Sequence, residues 1–309
     1  MTPLRIGSRG SQLALWQAGY VQQRLSELGT ASEIEIIETS GDRLAHAALA
    51  DYGGKALFTK EIEEALATGA IACAVHSLKD VPSTLPSGLG LAAILAREDP
   101  RDALVGAPGL TLDTLPAGAR LGTCSLRRQA QVLALRPDLA VLPLRGNVDT
   151  RLRKWERHDY DAILLAAAGL NRLQRAAAVA QLLEPDQVCP AVGQGALAIE
   201  ARVDDATTWG LLTRLEHPPT RFEVEAERAV VRRLDVGCHA PVGVLGRMQD
   251  AVLRLQAVVA MPDGTRVVRA ALEVAVDSVA DATAAGERLA AVLERRGARE
   301  ILQAIYGTS

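Results

Sequence analysis

Two hydrophobic periods alternate along the first two hundred residues. Leu4 to Gly7 is a short apolar run that reads as a strand, and Ser8 to Ser11 is a polar turn. From Gln12 to Leu28 the apolar side chains fall at Leu13, Trp16, Ala18, Val21, Leu25 and Leu28, the spacing of one helix face, and Gly29 is placed to end that helix. Glu33 to Thr39 alternates with period two, and Phe58 to Thr68 returns to the helical period. Ile71 to Val75 is a buried strand that feeds His76-Ser77-Leu78-Lys79-Asp80-Val81-Pro82. Strands alternating with helices predict an α/β fold whose mostly parallel sheets are covered on both faces.

The plan recurs. Arg120-Leu121-Gly122-Thr123-Cys124-Ser125-Leu126-Arg127-Arg128 echoes Arg5-Ile6-Gly7-Ser8-Arg9-Gly10-Ser11 as strand, polar turn and helix, and Asp161 to Ala166 repeats the buried strand ahead of Ala168-Gly169-Leu170-Asn171-Arg172. Two similar lobes are the simplest reading. The boundary between them, and a hinge, are expected in the charged stretch Arg97 to Asp102, where Pro100 disfavours continuing a helix or strand. A third unit opens at Pro218-Pro219: Thr220 and Glu223 have capping-box spacing, the helix is expected to run to about Leu234 with Gly237 as its stop, and Cys238 follows. Val242 to Val276 alternates as strands around the turn Pro262-Asp263-Gly264, and Asp281 to Ile305 reads as helix, which together predict a small α+β domain.

Composition narrows the function. The 309 residues are enough for two or three domains, and with aromatics at 3% the cores must be aliphatic. A net charge of -3 repels nucleic acid unless the basic residues are segregated, and the scarcity of aromatics leaves little stacking surface for RNA. The amino terminus does not read as a signal peptide, and no apolar run approaches the roughly 20 residues of a membrane span, so a soluble cytoplasmic protein is expected. Cys73, Cys124, Cys189 and Cys238 show neither a C-x-x-C pair nor zinc spacing, so no structural metal and no disulfide is expected.

What changes the picture is where the basic residues sit. Arg9, Lys55, Lys79, Arg127, Arg128, Arg145, Arg151 and Arg172 fall at turns, several of them after strands and before helix N-termini, and Ser11, Thr123 and Ser125 add hydroxyls there. If the two lobes face each other they form a cleft for a ligand with several carboxylates, each charge-assisted hydrogen bond contributing roughly 1.5 to 3 kcal/mol. The alternative for any one arginine is a solvated surface charge. Asp80 has two readings, stabilisation of a transient cation with proton handling, or an ion pair with a neighbouring arginine. Cys238, in Val236-Gly237-Cys238-His239-Ala240-Pro241, is either a small buried hydrophobe or an attachment point. A helix C-terminus does not lower a thiol pKa, and no His and Asp pair completes a protease-like triad, so attachment is favoured over a turnover nucleophile. Gly193-Gln194-Gly195 matches a dinucleotide fingerprint only superficially, because Pro185 and Pro190 stand where its strand should be. Gly53-Gly54-Lys55 lacks P-loop spacing and reads as a mobile segment over a cleft.

Arg5 to Trp16, Gly53 to Lys60, His76 to Pro82, Gly122 to Arg128, Arg145 to Arg151, Pro190 to Ala196 and Gly237 to Gly243 together resemble the porphobilinogen deaminases, in family order and across nearly the whole chain. The resemblance implies two lobes of type II periplasmic-binding-protein build with mixed, mostly parallel sheets, residues 1–96 with 196–214 and residues 101–190, and a C-terminal α+β domain at 218–309. It implies a dipyrromethane cofactor joined by a thioether to Cys238, and the head-to-tail joining of four porphobilinogen units, each losing ammonia, before hydrolysis releases linear hydroxymethylbilane. Arg9, Ser11, Lys79, Thr123, Ser125, Arg127, Arg128, Arg145, Arg151 and Arg172 match residues that bind cofactor or substrate carboxylates, and Arg9 and Arg145 match positions that assist ammonia loss. Lys55 remains available in the lid. Asp80 matches the aspartate that steadies the azafulvenium cation, and Gln194 fits a structural or hinge-adjacent role. The implied partners are porphobilinogen and the oligopyrrole intermediates, the protein acting as a monomer without membrane or nucleic acid.

Two departures stand out. Asp51 replaces a lysine of several relatives, which removes a positive charge from the lid, and Gly10 replaces a bulkier residue without an assignable consequence. The competing class is a carboxylate-binding or sensor module, since paired lobes by themselves imply binding and not catalysis.

Overall fold

The computed structural model describes residues 3–40, 59–237 and 240–307. The chain divides into two compact units, residues 1–97 with 196–218, and residues 98–195 with 219–309.

In the first unit, β1 (Leu4–Ser8) leads through α1 (Gln12–Glu27) to β2 (Ser32–Ile36), and α2 (Lys60–Ala67) precedes β3 (Cys73–Ser77) and β4 (Leu89–Ile94). The last strand of this sheet, β10 (Leu197–Arg202), comes from far along the chain and gives the order β2-β1-β3-β10-β4. β1 is parallel to β2 and β3, and β10 is antiparallel to β3 and β4. Ala18, Val21 and Leu25 of α1 bury one face against Ile6, Val75 and Ile199, while Ile62 and Leu66 of α2 join Ile71 and Ala74 in a separate cluster. The helical spacing read from Leu13 to Leu28 therefore marks a face on which Ala18, Val21 and Leu25 are buried.

The second unit repeats the order with different strands. β5 (Asp102–Val105), β6 (Arg120–Gly122), β7 (Ala140–Leu142), β8 (Ala162–Ala166) and β9 (Val179–Leu183) lie as β7-β6-β8-β5-β9. β6 is parallel to β7 and β8, and β5 is the antiparallel member, paired with β8 and β9. The helices are α3 (Leu126–Leu135), α4 (Val148–Glu156) and α5 (Ala167–Arg172), with α6 (Ala206–Leu212) returning to the first unit after β10. Each five-stranded sheet thus takes one antiparallel strand beside a crossing of the chain between the units. The fold is α/β with mixed sheets.

The rest of the second unit is α+β. The strands β11 (Val242–Gln249), β12 (Val252–Ala260) and β13 (Val267–Ala275) form an antiparallel meander. Their buried face packs Val244, Leu255 and Ala257 with Ala226 and Val230 of α7 (Pro218–Leu234) and Leu289 and Leu293 of α8 (Val279–Arg295). Three local expectations are corrected here. α7 starts at Pro218, so Thr220 lies inside the helix and is buried, and no capping box forms; two prolines in the first turn need no N–H acceptor, and Glu223 instead accepts the Met248 N–H at 2.9 Å. The helix ends at Leu234 as expected, but the residue that stops it is Asp235, whose φ of 52° is left-handed, rather than Gly237. The C-terminal helical stretch is two helices, because Gly297 at φ 97° breaks it before α9 (Ala298–Tyr306).

α7 and α8 pack tightly at Gly286, where an added Cβ would fall on the Ala226 carbonyl oxygen and 2.7 Å from the Ala229 Cβ. The backbone there cannot yield without separating the helices. Gly286→Val is expected to lower stability by about 1–3 kcal/mol through overpacking, read as a reduced urea midpoint with an unchanged slope.

Candidate active site

β1 and β3 run parallel, so their C-terminal ends lie together, the edge at which open α/β sheets receive ligands. Arg9 follows β1, and Ser11 caps α1 by accepting the Ala14 N–H at 3.2 Å, which leaves its own proton for a ligand. β3 passes into a 3-10 turn, Leu78–Asp80, anchored by buried Leu78 and by its N–H bond to the Ala196 carbonyl at 3.0 Å. Gln17 of α1 donates to the Ser77 hydroxyl at 2.8 Å and ties the helix to the strand end. Arg9, Ser11, His76 and Asp80 line one cavity of about 70 Å³, with Lys79 on the same turn as exposed Asp80. A carboxylate and a guanidinium on one wall can hold a cation and an anion of the same ligand.

In the second unit the equivalent turn follows β6. Thr123 Oγ1 accepts the Ser125 N–H at 3.1 Å, and Ser125 Oγ caps α3 by accepting the Arg128 N–H at 3.4 Å. Arg127 and Arg128, in the first turn of α3, are buried and converge on fully buried Asp102. Arg127 Nη1 donates to Asp102 Oδ2 at 2.6 Å and to the Cys189 carbonyl at 2.7 Å. Arg128 donates to Asp102 Oδ1 through Nε at 2.9 Å and Nη2 at 2.7 Å, and to the Leu164 carbonyl through Nη1 at 2.9 Å. Burial alone would raise the Asp102 pKa, but the two guanidiniums outweigh it and hold the carboxyl well below its usual range. The Arg127 Nε is buried without an acceptor.

Three more of the predicted cations lie in the second unit. Buried Arg172, at the end of α5, donates to the Gly195 carbonyl at 2.7 Å. Arg151 of α4 donates through Nε to the Gly146 carbonyl at 2.7 Å, and exposed Arg145 accepts Lys154 Nζ on its carbonyl at 3.2 Å. Lys55, Asp51 and Cys238 lie outside the described residues. Of the other cysteines, Cys73 and Cys189 are buried, and burial pushes both thiols up to about 12, so neither presents a thiolate near neutral pH. Cys124 is exposed in the turn before α3.

Sequence reasoning missed two residues of this framework. Asp102 had been counted with the hinge charges, yet it opens β5 and holds both arginines; its signal was position, directly ahead of the apolar run Ala103-Leu104-Val105. Glu200, a lone carboxylate within the apolar strand β10, is fully buried. Gly193 and Gly195 have φ of 68° and 92° and lead into β10 rather than a helix, so no phosphate cradle forms. Gln194 between them is buried and donates to the Pro100 carbonyl at 2.7 Å and to Asp102 Oδ1 at 2.9 Å. Among the described residues no cluster of His, Cys, Asp and Glu could hold a metal, and no helix is long and apolar enough to cross a membrane.

Fold and site define an α/β protein with anion-binding donors at its strand ends and one exposed carboxylate among them. Residues 4–209 match the family model described as porphobilinogen deaminase, dipyromethane cofactor binding domain, and residues 221–295 match the porphobilinogen deaminase C-terminal domain. The chain is 50% identical over 304 residues to the porphobilinogen deaminase of Syntrophotalea carbinolica, covering 98% of this chain and 96% of the relative. It is 48% identical over 312 residues to that of Moorella thermoacetica, covering 100% and 98%. Among solved structures it is similar to a putative methionine-binding lipoprotein from Bacillus subtilis, at 13% identity and TM-score 0.43 over 70% of this chain and 90% of that one. The methionine binding protein MetQ aligns at 13% identity and TM-score 0.43, over 69% and 89%. The chain belongs to the porphobilinogen deaminase family. It is a transferase with hydroxymethylbilane synthase activity in tetrapyrrole biosynthesis, and its cofactor is dipyrromethane.

The Asp102 bridge sets a stability prediction. Asp102→Asn leaves two buried guanidiniums without their counter-charge and is expected to cost about 3–5 kcal/mol in denaturant unfolding. Because the folded pKa lies below the unfolded value of about 3.9, the wild-type bridge contributes fully above that pH and is lost as pH falls through the folded pKa. The difference between wild type and variant should therefore shrink only under strongly acid conditions.

Proposed function

We propose that Asp80 is the carboxylate that steadies the developing positive charge when porphobilinogen loses ammonia, and that Arg9 and Ser11 bind the substrate's acid groups beside it. The observation that carries this reading is the shared cavity: Asp80, Arg9 and Ser11 reach it from two different strand ends. An exposed carboxylate among donors has no use in binding a polyanion, and its charge fits the cation that ammonia loss creates. Lys79, on the same turn, adds a second cation for carboxylates.

The second unit holds the donor set that suits the cofactor. Dipyrromethane supplies, when bound, the carbon nucleophile to which each new ring is added; the protein's part is to hold its acid groups. The Arg127 Nε without an acceptor and the hydroxyl protons of Thr123 and Ser125 fit that task, with Arg128 fixing the turn through Asp102. Arg145, Arg151 and Arg172, with Lys55 of the first unit, serve the carboxylates of the growing chain in this reading. Cys238 carries the thioether. The raised thiols of Cys73 and Cys189 support it by elimination, leaving Cys124 as the competing cysteine. Four units are joined head to tail before hydrolysis. The same proposal takes the protein as a cytoplasmic monomer, with residues 1–96 plus 196–214, 101–190 and 218–309 acting as three domains.

Intact mass tests both roles. Wild type and Cys124→Ala should carry the mass of two pyrrole units and Cys238→Ala should not; primer retained on Cys238→Ala would move the attachment elsewhere. Asp80→Ala supplied with primer should keep that mass yet consume porphobilinogen at least about 10²-fold more slowly. Turnover at the wild-type rate would remove Asp80 from the chemistry.

A further inference from the structure

Behind the wall of the Asp80 cavity lies a group of buried ionisable side chains with no role so far. His76, which lines that cavity, places Nε2 at 2.9 Å from Glu200 Oε2, with the two side chains 5% and 0% exposed. They belong to neighbouring antiparallel strands: His76 of β3 pairs with Ala198, and Glu200 stands two residues further along β10 on the same face. Glu63 of α2 closes the group. Burial raises its carboxyl pKa, the nearby Thr59 hydroxyl lowers it, the Glu200 charge raises it and His76 lowers it. Neither Glu200 oxygen makes an aligned hydrogen bond within the protein, nor does His76 Nε2 or Glu63 Oε1. The Glu200 carboxylate thus has the His76 ring at ion-pair distance, off the hydrogen-bond axis, and no hydrogen bond within the protein, an arrangement a buried charge tolerates best when the ring nitrogen facing it carries a proton.

We propose that Glu200 is a positioning residue that fixes the proton of His76 on Nε2, so that Nδ1 is a proton acceptor on the wall of the Asp80 cavity. The logic is that of a carboxylate holding an imidazole in one tautomer and then stabilising the imidazolium it becomes. Joining two pyrrole units replaces one C–H and one C–N bond by one C–C and one N–H bond. Ammonia leaves first; the electron pair of the C–H bond then stays with the ring, and its proton is released afterwards to solvent, where it balances the departed ammonia as ammonium. Between those events the proton needs a holder. Asp80 accepts it and passes it, directly or through one water, to His76 Nδ1, and recovers its charge for the next addition. The groups around His76 suit this: Glu200 from β10, Glu63 and Thr59 from the α2 side, Arg9 from the turn after β1, and Asp80 from the turn after β3. Burial and the Glu200 charge both raise the Glu63 pKa, and Glu200 is the carboxylate at ion-pair distance from the His76 ring. This inference rests on the role of Asp80 given above.

The tautomer is read by 15N NMR of histidine-labelled, primer-carrying protein, with the His76 signals among the 5 histidines identified by their loss in His76→Gln. Wild type should show the proton on Nε2, and Glu200→Gln should lose that preference. In turnover, Glu200→Gln should lower kcat by about 10²-fold with KM held within about twofold, a split that general loosening of the sheet does not produce. A wild-type proton on Nδ1, or a Glu200→Gln enzyme with wild-type kcat, overturns the proposal. If Glu200→Gln does not fold, the wild-type tautomer still decides it. Should Asp80→Ala turn over normally while the tautomer is as expected, the Asp80 reading has failed and the His76 geometry has not; an essential Asp80 with an unaffected Glu200→Gln sinks the relay alone.

Discussion

The second unit depends on one buried carboxylate. Asp102 brings together the first turn of α3, through Arg127 and Arg128, and the loop before β10, through Gln194. Without it two guanidiniums would be buried beside each other, a repulsion that no hydrophobic packing offsets. With it, Arg128 grips Oδ1 through two nitrogens and Arg127 meets Oδ2 through one, and the hydroxyl-bearing turn Thr123 to Ser125 is fixed in front of them. The Pro100 carbonyl, bonded to the same Gln194 amide, ties the strand that enters this unit to the loop that leaves it.

The two five-stranded sheets share an order but distribute charge differently. At the end of β3 the carboxylate, Asp80, stands exposed in a cavity with Arg9; in the second unit the carboxylate, Asp102, is buried and spent on arginines. An exposed carboxylate can meet a transient cation, whereas a neutralised one can only hold donors in place. One topology therefore yields a strand end with an exposed carboxylate and another with a neutralised one, and under the proposed function the first reacts while the second holds. The difference arises from a few side chains at turns and leaves the strand order unchanged.

Much of this was legible in the chain. The helical spacing from Leu13 to Leu28 and the echo of Arg5 to Ser11 in Arg120 to Arg128 locate equivalent elements, because period and turn chemistry are local properties. The capping box at Thr220 failed because two prolines already satisfy the start of α7, so the helix began earlier and freed Glu223 to bond β11. Asp102 and Gln194 were illegible as partners, since 92 residues separate them and only the crossing strands bring them together. Arg127 and Arg128 were read as ligand forks from their turn; the structure shows that most of their donors first serve Asp102 and backbone carbonyls, which no local pattern could reveal.

Three buried carboxylates outside the cavity make the final comparison. Asp102 receives arginine and glutamine donors, and Glu227 of α7 accepts the N–H groups of Gly193 at 2.7 Å and Gly246 at 2.8 Å, so both are anchored by well-formed bonds. Glu200 has only an off-axis imidazole, although it lies on an interior strand of a five-stranded sheet. A carboxylate kept for architecture alone would be expected to resemble the first two, because an apolar residue in β10 would otherwise pack at lower cost. Imperfect satisfaction is tolerated where it maintains a proton position, and this instance lies against the wall that presents Asp80.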